Sequence, residues 1–266
     1  MNRNELVAAI RQKKSYLCIG LDSDISKIPP HLLQEEDPVF AFNRAIIDAT
    51  EELSVAYKIN TAFYESNGIK GWESMQKTLN YIPKNIFTIA DAKRGDIGNT
   101  STQYAKAFFE AMDFDSVTVA PYMGSDSIKP FLAFPDKWTI VLGLTSNEGA
   151  YDFQYLVADK KELYKHIIEK VASWGTVHNM MFVVGATKTA QLAEVRKLIP
   201  EHFLLVPGVG AQGGSLEEVS RIGMNKDIGL LVNVSRQIIF ADSSQAFADQ
   251  AASQAAEIQR SMQSYL

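Results

Sequence analysis

The chain has one cysteine, Cys18, in 266 residues. A lone thiol cannot form an internal disulfide, which fits a reducing compartment. Cys18 lies inside an apolar run and reads as a small core residue. Histidine is also scarce. His31, His166, His178 and His202 share no metal-ligand spacing, and neither CxxC nor HExxH occurs. No bound metal is expected on that basis. A basic excess is missing: the formal net charge is -5, which argues against a general nucleic-acid binder but leaves a local anion site open. No run is long and apolar enough to cross a membrane. The start, Met1-Asn-Arg-Asn-Glu-Leu6, has no signal-peptide core, so the cytoplasm is the expected location. Linker-like and low-complexity stretches are absent too, so residues 1–266 are expected to form a single domain.

What is present is a regular alternation. Hydrophobic residues make up 46% of the chain, enough for a large core. Eight apolar runs read as strands: Tyr16–Asp24, Val55–Asn60, Asn85–Ala90, Ser116–Met123, Trp138–Asn147, Asn179–Thr187, His202–Gly210 and Ile228–Arg236. Amphipathic helices are predicted over 3–14, from Pro38 to Thr50 with Asp37 as cap, near 65–80, after Thr100 to about Met112, and over 159–174. Another carries Leu192, Val195, Leu198 and Ile199 and stops at Pro200. Ser215 and Glu218 form an S-x-x-E capping box opening the next, and 244–262 closes the chain. Residues 25–36, with Pro29 and Pro30, read as a loop. Continuous apolar strands alternating with helices indicate a parallel sheet covered by helices. Eight such units at this length favour a closed (β/α)8 TIM barrel, whose active sites lie at the strand C-termini.

Polar residues collect at those ends. The densest group is Asp91-Ala-Lys93-Arg-Gly-Asp96-Ile-Gly-Asn-Thr100. Asp91 and Lys93 are two apart, so strand alternation would point both to one side. Such a cluster is ordinarily a solvated ion-pair network. At the end of a buried strand it is a candidate for chemistry instead. Lys58 and Asn60 repeat the spacing on the second strand, and Asp22 and Asp24 on the first, where a turn is the simpler reading. Thr145, Ser146 and Asn147 end the fifth.

The seventh and eighth strands carry a second signal. Pro207-Gly-Val-Gly210-Ala-Gln212-Gly-Gly214 is a glycine-rich loop in which backbone N–H groups can approach an anion, with Gln212 as an added donor. Ser235 and Arg236 follow the eighth strand. In such barrels these two loops often bind phosphate, and an arginine adds charge and directional donors. The bland alternative is a tight turn followed by a surface arginine.

With these residues in view, the chain resembles the orotidine 5'-phosphate decarboxylase family along nearly its whole length, closer in texture to the longer bacterial branch. The carriers are Leu21-Asp22, Lys58, the D-x-K-x-x-D-I-x-x-T run, Thr145-Ser146, the glycine–glutamine loop and Ser235-Arg236. Two departures stand out. Arg94 and Gly95 stand where many members have a small or apolar residue and an alanine, and Asn233-Val-Ser235 stands where many have a glycine before the arginine. The resemblance implies cofactor-free conversion of orotidine 5'-phosphate to uridine 5'-phosphate, the last step of de novo UMP synthesis. It implies that Lys58, Asp91, Lys93 and Asp96 form an alternating charge network, with Asp96 supplied across a homodimer interface. It assigns the ribose to Asp22 and Thr100, the pyrimidine to Ser146, and the phosphate to Gln212, Ser235 and Arg236.

Loss of CO2 from C6 leaves an in-plane carbanion that the ring cannot delocalise well. With no cofactor motif to act as electron sink, the protein must stabilise it electrostatically. Lys93 would do so as an ammonium and then protonate C6. Competing readings are a magnesium-dependent keto-sugar-phosphate decarboxylase sharing the D-x-K-x-x-D run, a non-catalytic phosphate-ligand barrel, and a phosphosugar isomerase. Ser146 and Gln212 favour the nucleotide. The intact four-residue charge set argues against a mere binder, and no late strand end offers the glutamate base an isomerase wants.

Overall fold

The computed structural model describes residues 1–187, 189–210 and 213–266. Eight parallel strands close into a barrel. In chain order the strands are β1 (Leu17–Gly20), β2 (Ala56–Asn60), β3 (Phe87–Arg94), β4 (Ser116–Val119), β5 (Trp138–Leu144), β6 (Val157–Ala158), β7 (Lys161–Glu162), β8 (Met180–Val184), β9 (Phe203–Pro207) and β10 (Leu230–Val234). The barrel order is β1-β10-β9-β8-β5-β4-β3-β2, and β6 with β7 is a separate antiparallel hairpin. The eight predicted apolar runs are these eight barrel strands. They are nearly continuously buried, as a sheet covered on both faces requires.

The chain divides into two compact units, residues 3–92 with 233–266, and residues 93–232. In the first, Cys18 lies opposite Ala56, Gly20 opposite Lys58, and Asn60 opposite Asp91. This register sets the polar ends of three strands at one level. The helix Pro38–Thr50 begins as predicted, with Asp37 accepting from the Phe40 N–H at 3.0 Å. Its Phe42 stacks between Phe240 and Phe247, at 5.6 and 5.4 Å. Two helices, Ala62–Glu65 and Gly68–Tyr81, occupy the place of the single helix predicted near 65–80. The break follows from Gly68, whose φ of 62° is left-handed.

In the second unit, Thr118 lies opposite Ile140, Val141 opposite Phe182, and Phe182 opposite Leu204. Buried Trp138 meets Phe203 edge-on at 6.4 Å. Ser215 caps the helix Leu216–Gly223, accepting from the Glu218 N–H at 3.2 Å. Several elements differ from expectation, among them an unpredicted short helix Ala150–Phe153. Thr100 lies inside the helix Gly98–Lys106, not ahead of it, and that helix runs on as a π-segment, Ala107–Ala111. A helix at Ser125–Leu132, with Pro130 inside, was not predicted, because proline marks breaks in a sequence; in a helix this short it removes only one bond. The helix predicted over 159–174 spans Leu163–Ala172. Asp159 and Lys160, with φ of 48° and 65°, form the turn of the β6–β7 hairpin instead, and two left-handed residues cannot continue a helix.

Candidate active site

Lys58 is the centre of the site in the first unit. It is 4% exposed, and its Nζ lies 3.2 Å from Asp22 Oδ1 and 3.0 Å from Asp91 Oδ2. Burial by itself would lower the lysine's pKa, but the carboxylates of Asp91 and Asp22 outweigh it and hold the ammonium above its ordinary range. The strand ends here: the Leu21 N–H donates to the Lys58 carbonyl at 2.8 Å, and Asp22 follows in the loop. The two aspartates after β1 therefore part company. Asp22 faces Lys58, while Asp24 caps a turn by accepting from the Ser26 N–H and Oγ at 3.0 and 2.7 Å.

The Asp22 loop is held by a buried polar cluster that was not singled out from the sequence. Ser23 Oγ donates to Asn43 Oδ1 at 2.5 Å. Asn43 Nδ2 donates to Tyr64 Oη and Thr78 Oγ1, both at 2.9 Å, and Tyr64 Oη donates to the Leu21 carbonyl at 3.1 Å. The residues come from four segments, and Asn43, Tyr64 and Thr78 have no exposed surface. An asparagine on the buried face of an amphipathic helix, one position from Phe42, is the one signal that could have revealed it.

Cys18 on β1 lies near Lys58, and Asn233 and Ser235, at the end of β10 and just past it, lie against β1. The Cys18 thiol donates to Asn233 Oδ1 at 3.7 Å, and burial pushes its pKa up to about 12, so it stays neutral and inert, as expected of a core residue. Asn233 Nδ2 donates to Ser235 Oγ at 3.4 Å. Ser235 sits directly against Gly20: a Cβ there would lie 1.8 Å from Ser235 Oγ. Arg236 opens the short helix Arg236–Ile239 and is exposed.

Lys93, Asp96, Thr100 and Ser146 belong to the second unit. Lys93 is exposed and has a left-handed φ of 47°. The regular pleat therefore stops before it, and its direction is set by that conformation rather than by the alternation assumed from spacing. Its N–H donates to Thr118 Oγ1 at 2.9 Å. Arg94, whose direction the sequence left open, lies over the rings of Phe108 and Tyr104, at 5.5 and 5.6 Å. This packs the end of β3 against the helix that carries Thr100. Asp96 is half-buried in the loop and accepts from the Ile97 N–H at 2.8 Å; Thr100 is exposed.

Ser146 packs against Gly185, where a Cβ would lie 2.7 Å from the serine Cβ. In the glycine-rich loop, the N–H groups of Gly210, Gly213 and Gly214 donate to Gly214, Gly210 and Gly208 carbonyls at 3.0, 2.8 and 3.1 Å. Gly208, Gly210 and Gly213 all have positive φ, so glycine is required for this loop shape. Gln212, predicted to touch phosphate, lies outside the described residues. Apart from these, a largely apolar cavity of about 410 Å³ is walled by Pro121, Tyr122, Leu142, Phe153 and Ile167, with Gln154 held on its rim by Thr145. Among the described residues no cluster of three metal-ligating side chains occurs, and no helix is long and apolar enough to cross a membrane.

Comparison with known proteins places this geometry in a lineage. A family model described as "Orotidine 5'-phosphate decarboxylase / HUMPS family" matches residues 15–251. The chain belongs to that family. A relative from Flavobacterium johnsoniae named orotidine 5'-phosphate decarboxylase is 61% identical over 265 residues, covering 98% of this chain and 97% of the relative. One of the same name from Christiangramia forsetii is 59% identical, covering 100% and 99%. Among solved structures, the OMP decarboxylase of Leishmania donovani superposes with a TM-score of 0.82 at 35% identity, covering 98% of this chain and 99% of that one.

Proposed function

We propose that the chain decarboxylates orotidine 5'-phosphate to uridine 5'-phosphate, without a cofactor, in pyrimidine nucleotide synthesis. The observation that carries this reading is the end-to-end identity to relatives bearing that name. The Asp22–Lys58–Asp91 cluster is consistent with it, since a buried ammonium between two carboxylates is costly to build and finds its use in fixing charge beside a reacting centre.

In this reading the C6–carboxylate bond breaks, CO2 leaves, and the electron pair stays on C6. The Lys93 ammonium stabilises that pair and then donates its proton to C6. Asp91 and Asp96 orient Lys93, and Lys58 orients Asp91. Asp22 and Thr100 bind the ribose, Ser146 the pyrimidine, and Gln212, Ser235 and Arg236 the phosphate. Phosphate binding far from C6 supplies energy for ordering the site. The working unit is a homodimer in the cytoplasm, with Asp96 delivered to the partner's site.

The test is the decay of orotidine 5'-phosphate absorbance with purified protein in excess EDTA. Uridine 5'-phosphate formed at full rate is the expected result. No decay, with magnesium restoring turnover of a keto-sugar phosphate, overturns the reading. Lys93→Ala should abolish turnover and leave the thermal transition unchanged; near-normal turnover refutes its role as proton donor.

A further inference from the structure

The strained residue in the signature run is Lys93 itself. Its φ of 47° is a conformation that a long L-side chain rarely adopts, and such backbones persist only where the surroundings hold them. The residues on either side in β3 belong to a strand, so a left-handed residue here swings one peptide N–H out of the ladder direction. That N–H must find an acceptor. It donates to Thr118 Oγ1 at 2.9 Å. Thr118 lies on β4, opposite Ile140, with no exposed surface. Its β-branched side chain has little χ1 freedom in a packed strand, so the acceptor is fixed in place.

We propose that Thr118 is a positioning residue for Lys93. By accepting the Lys93 N–H, its hydroxyl fixes the peptide plane from which the Lys93 side chain departs, and so aims the ammonium at the reacting carbon. The adjoining residue is pinned from the same side: the Ala120 N–H donates to the Arg94 carbonyl at 2.8 Å. β4, with Ala120 just past its end, thus engages both of the last two residues of β3, with a side-chain acceptor on Lys93 and a main-chain donor on Arg94. This proposal rests on Lys93 being the proton donor.

The experiment compares Thr118→Val, which keeps the shape and removes the acceptor, with Thr118→Ser, which keeps the acceptor and loses a methyl group. For Thr118→Val we expect kcat for orotidine 5'-phosphate to fall about ten- to a hundredfold with KM nearly unchanged, because the lost bond acts on the aim of the proton donor, not on substrate contacts. Exchange of the C6 hydrogen of uridine 5'-phosphate in deuterium oxide should slow by a similar factor, since it requires the same proton transfer. Thr118→Ser should restore both to within about threefold of the parent. Thr118→Val with parental kcat and exchange overturns the proposal. So does a loss that Thr118→Ser shares in full, or one in which KM and thermal stability move while exchange does not, because those mark a packing role. Should Thr118→Val fail to fold, Thr118→Ser with its C6 exchange rate and the φ of Lys93 in its crystal structure decides alone: a slowed exchange with the hydroxyl bond intact overturns the proposal. Lys93→Ala is the control, and retained turnover in that variant overturns the proton-donor reading separately.

Discussion

Replacing Lys58 by methionine tests whether the buried cation holds the first unit together. Methionine matches the length of the lysine stem but carries no charge. In the parent, the ammonium contacts two carboxylates and is 4% exposed, while the side chains of Asp22 and Asp91 are 20% and 11% exposed. Removing one member of a buried ion pair typically costs about 3–5 kcal/mol, because the remaining charge is left desolvated and uncompensated. Two carboxylates are stranded here, yet each keeps some contact with solvent, so a loss of about 4 kcal/mol is expected. Against a total stability of about 5–15 kcal/mol this is a large fraction. The midpoint of thermal unfolding should fall by about 8–16 °C. The lysine's folded pKa is raised above its ordinary value of 10.5, so its contribution is complete below that value and is lost only as pH climbs through the raised one. The difference between parent and variant, measured by urea unfolding, should therefore be flat between about pH 7 and 9. Adding Asp91→Asn to Lys58→Met should recover part of the loss, since one stranded charge is removed. A cost below about 1 kcal/mol would refute the reasoning, because that is the behaviour of an exposed pair.

Asn43→Leu should destabilise the protein by about 1–3 kcal/mol, because it leaves buried Ser23 Oγ without its acceptor and takes a donor from the hydroxyls of Tyr64 and Thr78, which keep their own bonds to the Leu21 and Ser74 carbonyls; denaturant unfolding checks this, and a neutral result shows that the cluster re-pairs. Gly20→Ala should force Ser235 aside, since its Cβ would lie 1.8 Å from the hydroxyl, and raise KM about tenfold with a smaller effect on kcat. An unchanged KM would count against Ser235 as a phosphate ligand. Arg196→Met should cost about 3–5 kcal/mol and leave kcat untouched, because the buried guanidinium donates to the carbonyls of Gly223, Ile199, Pro200, His202 and Gly229 and ties together two helix ends and a turn. A thermal melt paired with the decarboxylation assay separates the two effects.

The barrel was legible in the sequence because its strands are buried on both faces. Each therefore appears as an unbroken apolar run, and eight such runs separated by helix-length segments leave few architectures. The lysines and aspartates at strand ends were legible for the complementary reason, that charge at the end of such a run needs explaining. Caps such as Asp37 and Ser215 were legible because they act on N–H groups three residues away. Contacts between distant segments were not. Asn43 lies 21 positions from Tyr64 and 35 from Thr78, and nothing in their neighbours announces that they share hydrogen bonds. The division of labour between Asp22 and Asp24 required the place where β1 ends, which pairing with β2 decides. Lys93 is the sharpest case. Its place in the motif is a property of sequence, but its left-handed backbone and the hydrogen bond from its N–H to Thr118 on the next strand are not, since no local preference of lysine favours that conformation. The sequence by itself determined which chemical groups the barrel carries at its strand ends. Only the tertiary structure decided which of them are buried, paired and aimed, because those properties depend on atoms that the chain brings together from far apart.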